Sequence, residues 1–253
     1  MSERESFVRI GLVYPELLGT YGDRGNAIVL VERLRRRGHD AELVEVPAGS
    51  PLPDSLDVYL LGGGEDDVQE AAATGLRGSA AALGAARHRG AVVLAVCAGF
   101  QLIGHRYEAR DGETMDGLGL VDAVTVAGPD RCVGEVVVEP DASLGLPLLT
   151  GFENHGGRTT LGPGARPLGT VVTGHGNGDG VDGVLDDRLI GTYLHGPVLP
   201  RNPALADLLL GWVVGELGPI DDGLPDALRR QRLDSALARG VRKWWGERRI
   251  ARG

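Results

Sequence analysis

Five apolar residues, Val92-Val93-Leu94-Ala95-Val96, run without a break into Cys97, and Ala98 and Gly99 follow before Phe100-Gln101-Leu102-Ile103-Gly104. A continuous apolar run of this length reads as a strand buried on both faces, which demands a parallel sheet covered by helices. Passing at once from such a strand into a helix needs small neighbours, and Ala98 and Gly99 supply them. The cysteine then stands on a sharp strand-to-helix turn, the geometry of a nucleophile elbow. At a helix N-terminus, unpaired N–H groups and the macrodipole favour the thiolate. Taken alone, the pattern also fits a structural cysteine at a strand end.

The preceding sequence alternates in the same way. Val8–Val13 reads as a short buried strand and Ala41–Val46 and Val58–Leu61 as further strands, with helices over Asn26–Arg37 and Asp66–Arg89, the latter interrupted near Gly75–Gly78. Tyr14–Gly25 is rich in Gly and Asp and reads as a loop. This alternation predicts a parallel sheet with helices on both faces. The middle differs. Val121–Val126, Glu135–Glu139, Gly169–Thr173, Val181–Leu185 and Leu189–Tyr193 are short strands between Gly, Pro and Asp, expected as antiparallel additions to the sheet. Helices close the chain over Asn202–Glu216 and Asp226–Arg249. No repeat or long linker appears, so residues 1–253 are expected to form one domain.

The net charge of −9 disfavours general nucleic-acid binding, because phosphate backbones repel an acidic chain. The segment Arg229–Arg252 is locally basic and reads as a solvated helix face. Two cysteines, Cys97 and Cys132, show no metal-ligand spacing and no disulfide framework. Met1–Arg9 is polar, without the apolar core of a signal peptide, and no stretch reaches the roughly 18 apolar residues of a membrane span. A cytoplasmic protein with reduced thiols, binding no metal, is the expectation.

Two more segments point to chemistry. Leu60-Leu61-Gly62-Gly63-Gly64-Glu65-Asp66 ends a strand in glycines, which exposes backbone N–H groups at the same sheet edge as the elbow. Such donors can form an oxyanion hole; a simple Gly-rich turn is the plain alternative. Gly191-Thr192-Tyr193-Leu194-His195-Gly196-Pro197 places a histidine at a strand end, where it can serve the thiol as general base or be structural.

In this order, the glycine strand end, the cysteine elbow with Gln101 four residues on, and the late histidine resemble the class I glutamine amidotransferases. The resemblance implies a three-layer α/β/α, flavodoxin-like fold, with a mostly parallel central sheet and antiparallel additions. It also implies hydrolysis of L-glutamine by Cys97 and His195, with the backbone N–H groups of Gly64 and Ala98 receiving the oxyanion. Three further segments narrow it: Tyr14–Asn26, Gly151–Thr159 and Tyr193–Pro203 resemble the GatD-like glutaminase subunits of lipid II isoglutaminyl synthases, with cobyric acid synthase-type domains sharing parts of these motifs. In that group Arg131 matches a position that holds substrate glutamine, where a guanidinium can clamp a carboxylate. Gln101 is likewise assigned to the substrate site. Asn154, His155 and Arg158 form a polar cluster of unassigned role.

One departure stands out. Many class I glutaminases carry a glutamate two residues after the histidine, and here that position is Pro197. The resemblance implies a third triad member from a Mur-ligase-like, MurT-type synthase partner; Asp186, Asp187 and Glu153 are the candidates within the chain. No G-x-x-x-x-G-K-[ST] motif is present, so the resemblance places ATP on the partner, with lipid II as acceptor. A corrinoid amidotransferase component and a non-catalytic regulatory subunit are the competing readings. Retention of both Cys97 and His195 argues against the second.

Overall fold

A computed structural model describes residues 7–20, 22–109 and 112–250, with side chains left aside at 66–69 and 239–250. Tyr21 of the first motif, Met1–Ser6 and the last residues of the basic C-terminal segment lie outside the described residues. Strand β1 (Val8–Val13) leads through the 14–23 loop to helix α1 (Arg24–Arg35), then β2 (Ala41–Val46) and β3 (Val58–Leu61). Helices α2 (Asp66–Arg77) and α3 (Ala80–His88) are separated at Gly78-Ser79, near the expected interruption. Strand β4 (Val92–Val96) runs into α4 (Ala98–Ile103) with Cys97 between them. Every residue of β3 and β4 is buried, as their unbroken apolar runs require.

The middle of the chain departs from expectation. Strands β5 (Arg106–Glu108), β6 (Thr114–Asp116), β7 (Ala123–Pro140), β8 (Leu149–Leu161), β9 (Gly169–Thr173) and β10 (Val181–Asp182) form a second sheet of six strands. They do not widen the first sheet, as expected for all the antiparallel strands. The expected strands at 121–126 and 135–139 are the two ends of β7, whose register against β8 shifts between Ala127 and Cys132. Strand β8 has no counterpart among the expected strands. Burial alternates along it with the period of two that a strand imposes, but its inward positions include Gly151, Glu153, His155, Gly157 and Thr159. A polar inner face hides that period from any reading of hydrophobicity.

Strands β11 (Val184–Asp186) and β12 (Leu189–Thr192) return to the first sheet, whose order is β11-β12-β4-β3-β1-β2. All its pairings are parallel except that of β11, its single antiparallel addition. Helices α5 (Val198–Arg201), α6 (Pro203–Val214) and α7 (Gly223–Ile250) follow. Arg33 of α1 bonds both Asp207 of α6 and Asp222, just before α7, at 2.6–2.7 Å, which fastens the C-terminal helices to the first. No helix among the described residues is long and apolar enough to cross a membrane.

Candidate active site

Cys97 adopts φ 51° and ψ −106°, one of three non-glycine residues with positive φ among those described. A side chain held there is strained, and such strain persists only where the surroundings over-determine it. The surroundings here are tight. The amide of Cys97 donates to the Thr192 carbonyl at 2.9 Å, and the amide of Gly99 donates to the Gly62 carbonyl at 3.0 Å. A Cβ on Gly99 would lie 2.5 Å from the carbonyl oxygen of Leu61, so only glycine lets α4 start this close to β3. The elbow read from the sequence is therefore present in full.

The glycine strand end lies beside it. Gly63 donates its amide to Asp23 Oδ2 at 2.8 Å, and its carbonyl accepts from Thr20 at 3.3 Å. Among the described residues, no protein acceptor takes the amide of Gly64 or that of Ala98. Both groups fit the oxyanion donors expected there. Asp23 is buried, and burial pushes its carboxyl up to about 6 against the opposing bonds from Gly63 and Asn26.

His195 stands just beyond β12, the strand next to β4, and pairs its backbone with Phe152 of β8 in both directions, at 2.8 and 3.1 Å. Its ring is buried. Burial, then the charges of His155 and Arg131, hold its pKa down at about 3, which keeps the imidazole neutral. Pro197 packs where a Cβ on Gly25 would come within 2.6 Å of its ring, and Leu199 donates its amide to Asn26 Oδ1 at 2.9 Å. The first and third motifs are thus in contact, and the position of the missing glutamate is a packing surface for α1.

The inner face of β8 forms a polar wall. Tyr193 is fully buried, with its ring stacked on His155 at 3.7 Å and edge-on to Phe100 at 5.2 Å. Its hydroxyl meets Thr159 Oγ1 at 2.7 Å and accepts from Gln101 Nε2 at 3.2 Å. Gln101 therefore braces α4 against β12 and β8. His155 donates Nδ1–H to the Gly157 carbonyl at 3.0 Å, and its Nε2 lies 3.7 Å from Glu153 Oε2. Glu153 also receives the amides of His175 and Gly176 at 3.0 Å and the His175 ring at 2.7 Å. Burial would raise its pKa, but the nearby His155 ring and the bonds from His175 and Gly176 outweigh it and hold the carboxyl near 2.

Arg131 lies in the irregular segment of β7, where the register shift re-aims side chains. Its Nε donates to Asn154 Oδ1 at 2.6 Å, and its charge reaches His195. Arg158 fastens the same segment, bonding the carbonyls of Gly157 at 3.0 Å and Asp130 at 3.1 Å. The cluster of Asn154, His155 and Arg158 thus divides into a bracket for Arg131, a ring beneath Tyr193 and a backbone staple.

Two of the three acids within the chain are ruled out as partners of His195. Asp186 pairs with Leu189, which pairs with Val93 near the start of β4, so Asp186 and Asp187 lie at the opposite sheet edge from Cys97. There Asp186 binds Arg87 at 2.7 Å. Glu153 is near, but its oxygens are engaged by His175 and Gly176. The sequence reading gave no role to Asp23, Asn26, Tyr193 or Asp182. Asp182 is fully buried, accepting from Thr192 Oγ1 at 2.5 Å and the Tyr193 amide at 3.3 Å. The only hint to Asp23, Asn26 and Tyr193 in the sequence is that they sit within the quoted motifs, and Asp182, inside an expected strand, has none.

Residues 9–203 match the CobB/CobQ-like glutamine amidotransferase domain. The chain is 37% identical to the lipid II isoglutaminyl synthase (glutamine-hydrolyzing) subunit GatD of Staphylococcus aureus over 196 residues, covering 76% of this chain and 79% of that one. It is 33% identical over 193 residues to the cobyric acid synthase of Brucella anthropi, covering 69% of this chain but 38% of that protein. In fold it is similar to PurLQS from Thermotoga maritima, with a TM-score of 0.57 at 17% identity, covering 81% of this chain and 98% of that structure. The chain belongs to the CobB/CobQ-like family of glutamine amidotransferases, enzymes that take their nitrogen from glutamine.

Proposed function

We propose that the chain is the cytoplasmic, glutamine-hydrolysing subunit of a lipid II isoglutaminyl synthase. The observation that carries this is the convergence of three segments on Cys97: 14–26 on the glycine loop, 151–159 on the wall beneath Tyr193, and 193–203 on the His195 arm. The similarity to GatD spans most of both chains, whereas the chain matches little more than a third of the cobyric acid synthase, which favours the former assignment.

His195 takes the proton of the Cys97 thiol, and the thiolate adds to the side-chain amide carbon of L-glutamine. The tetrahedral oxyanion is received by the N–H groups of Gly64 and Ala98. Collapse breaks the C–N bond while His195 delivers a proton to the leaving nitrogen, which departs as ammonia. His195 then takes a proton from water, whose oxygen attacks the thioester and releases glutamate and the thiolate. Arg131, bracketed by Asn154, pairs with the α-carboxylate of glutamine. Gln101 shapes the site through its bond to Tyr193.

The ammonia goes to a Mur-ligase-like, MurT-type synthase partner, which binds ATP and activates the α-carboxyl of D-isoglutamate in the lipid II stem peptide to give D-isoglutamine. The placement of Asp186 and Asp187 at the far sheet edge, and the engagement of Glu153, favour an acid from that partner beside His195. The experiment measures glutamate production by the chain alone, with a MurT-type partner, and with partner variants whose interface aspartates are changed to asparagine. Weak activity alone, raised by the partner and lost in one Asp→Asn variant, is the expected result. Full activity without a partner would place the acid in this chain.

A further inference from the structure

The glycine loop is held by an aspartate to which no part of the chemistry above gives a task. One peptide group of the loop is fixed at both ends and the next at its carbonyl. In the peptide joining Gly62 to Gly63, the carbonyl accepts from the Gly99 amide at 3.0 Å, and the N–H donates to Asp23 Oδ2 at 2.8 Å. In the next, the Gly63 carbonyl accepts from Thr20 at 3.3 Å. A trans peptide points its C=O and N–H in opposite directions, so the Gly64 N–H is turned away from the 14–20 loop. A Cβ on Gly62 would collide with the Leu18 carbonyl and with Asp23, so the contact leaves no slack.

Asp23 is tied in turn to the other half of the site. Asn26 Nδ2 donates to Asp23 Oδ1 at 3.2 Å, and Asn26 Oδ1 accepts the Leu199 amide at 2.9 Å, four residues after His195. Both Asp23 and Asn26 are about 2% exposed. One hydrogen-bonded path thus runs from the loop beside Cys97 to the arm that carries His195. Its length is two side chains, both from one turn at the start of α1.

We propose that Asp23 is a positioning residue for the oxyanion site, aiming the Gly64 N–H at the reacting carbonyl, and that Asn26 ties this loop to the His195 arm so that both register on the same substrate. This rests on the assignment of Gly64 as an oxyanion donor. Aim matters because a donor stabilises the oxyanion only when it points at the place where charge develops. Loss of the Asp23 bond leaves the Gly62–Gly63 peptide held by its carbonyl alone, which loosens the adjoining peptide and the aim of the Gly64 N–H, while Cys97, held through Thr192 and Gly99, keeps its place.

The test uses two reactions of the same thiol in the complete chain with its synthase partner. Hydrolysis of glutamine passes through an oxyanion; alkylation of Cys97 by iodoacetamide is a direct displacement and forms none. In Asp23→Ala, kcat for glutamine is expected to fall about tenfold to a hundredfold, below the full loss of an oxyanion donor, with KM and the alkylation rate each within about twofold. Asp23→Asn retains one acceptor for Gly63 but opposes its amide to that of Asn26, so an intermediate loss of kcat is expected, and this variant serves if Asp23→Ala does not fold. An unchanged kcat in the folded variants overturns the proposal. So does a parallel fall of hydrolysis and alkylation, which would mean general disruption of the thiol site. Cys97→Ala in the same assay tests the underlying glutaminase reading separately: if it retains hydrolysis, that reading fails whatever the Asp23 variants do.

Discussion

The amide of Cys97 donates to the carbonyl of Thr192 at 2.9 Å, three residues before His195. This bond places the thiol and the imidazole at the same edge of adjacent parallel strands, β4 and β12. The pairing predicts that Cys97→Ala and Cys97→Ser stay folded and release no ammonia from glutamine. Cys132 lies across from His155 with its thiol raised by burial, and neither an elbow nor an adjacent oxyanion loop accompanies it. Cys132→Ser is expected to keep most of the activity. Ammonia release and circular dichroism on the three variants check both statements.

Arg131 is predicted to act in binding more than in chemistry. Loss of a hydrogen bond from a charged group costs about 1.5–3 kcal/mol, so Arg131→Ala should raise KM for glutamine about tenfold to a hundredfold. The smaller change Asn154→Ala removes the bracket at 2.6 Å and should give a weaker effect in the same direction. Steady-state kinetics decide; an unchanged KM in Arg131→Ala takes the residue out of the substrate site.

The pH profile should respond to His155. Burial is the main cause of the depressed His195 pKa, and the charges of His155 and Arg131 lower it further, to about 3. His155→Gln removes one of those charges, so the pKa of His195 should rise, and the acid limb of kcat/KM should move to higher pH. Titration of kcat/KM between about pH 3 and 6 gives the answer, and an acid limb in the same place as in the parent chain would count against this coupling.

Asp182 links stability to pH in a direction unusual for an aspartate. Burial raises its folded pKa to about 7, against the bonds from Thr192 and Tyr193 and with a further upward push from Glu153. A folded value above the unfolded one means that the folded state holds the proton more tightly. The contribution to stability is therefore full below the unfolded value, near 3.8, and is lost as pH rises through about 7. Asp182→Asn, neutral throughout, should be more stable than the parent chain at pH 8 and lose that advantage near pH 5. Urea unfolding at the two pH values measures this, and a variant less stable at pH 8 by the same margin as at pH 5 would refute it.

Much of the first sheet was legible in the sequence because its strands obey one simple rule. The runs at 58–61 and 92–96 are buried at every position, and 8–13 at every position but Arg9, so the apolar pattern is nearly continuous. The elbow was legible for a similar local reason, since its turn needs small residues next to the cysteine. Strand β8 escaped because its inward face carries Glu153, His155 and Thr159, polar residues that break the hydrophobic period. Such conflict between local pattern and global fold is expected at functional sites.

From the sequence alone came the parallel sheet, the elbow at Cys97, the glycine loop and the histidine after β12, because each is a short stretch whose residue types satisfy a local steric or burial requirement. The tertiary structure alone decided that Asp23 grips Gly63 across 40 residues, that Asn26 reaches Leu199 across 173, and that Asp186 faces away from the site it was a candidate for. Those relationships depend on sheet order and on the pairing of distant strands. A polar side chain carries no mark of its partner until the backbone brings the two together.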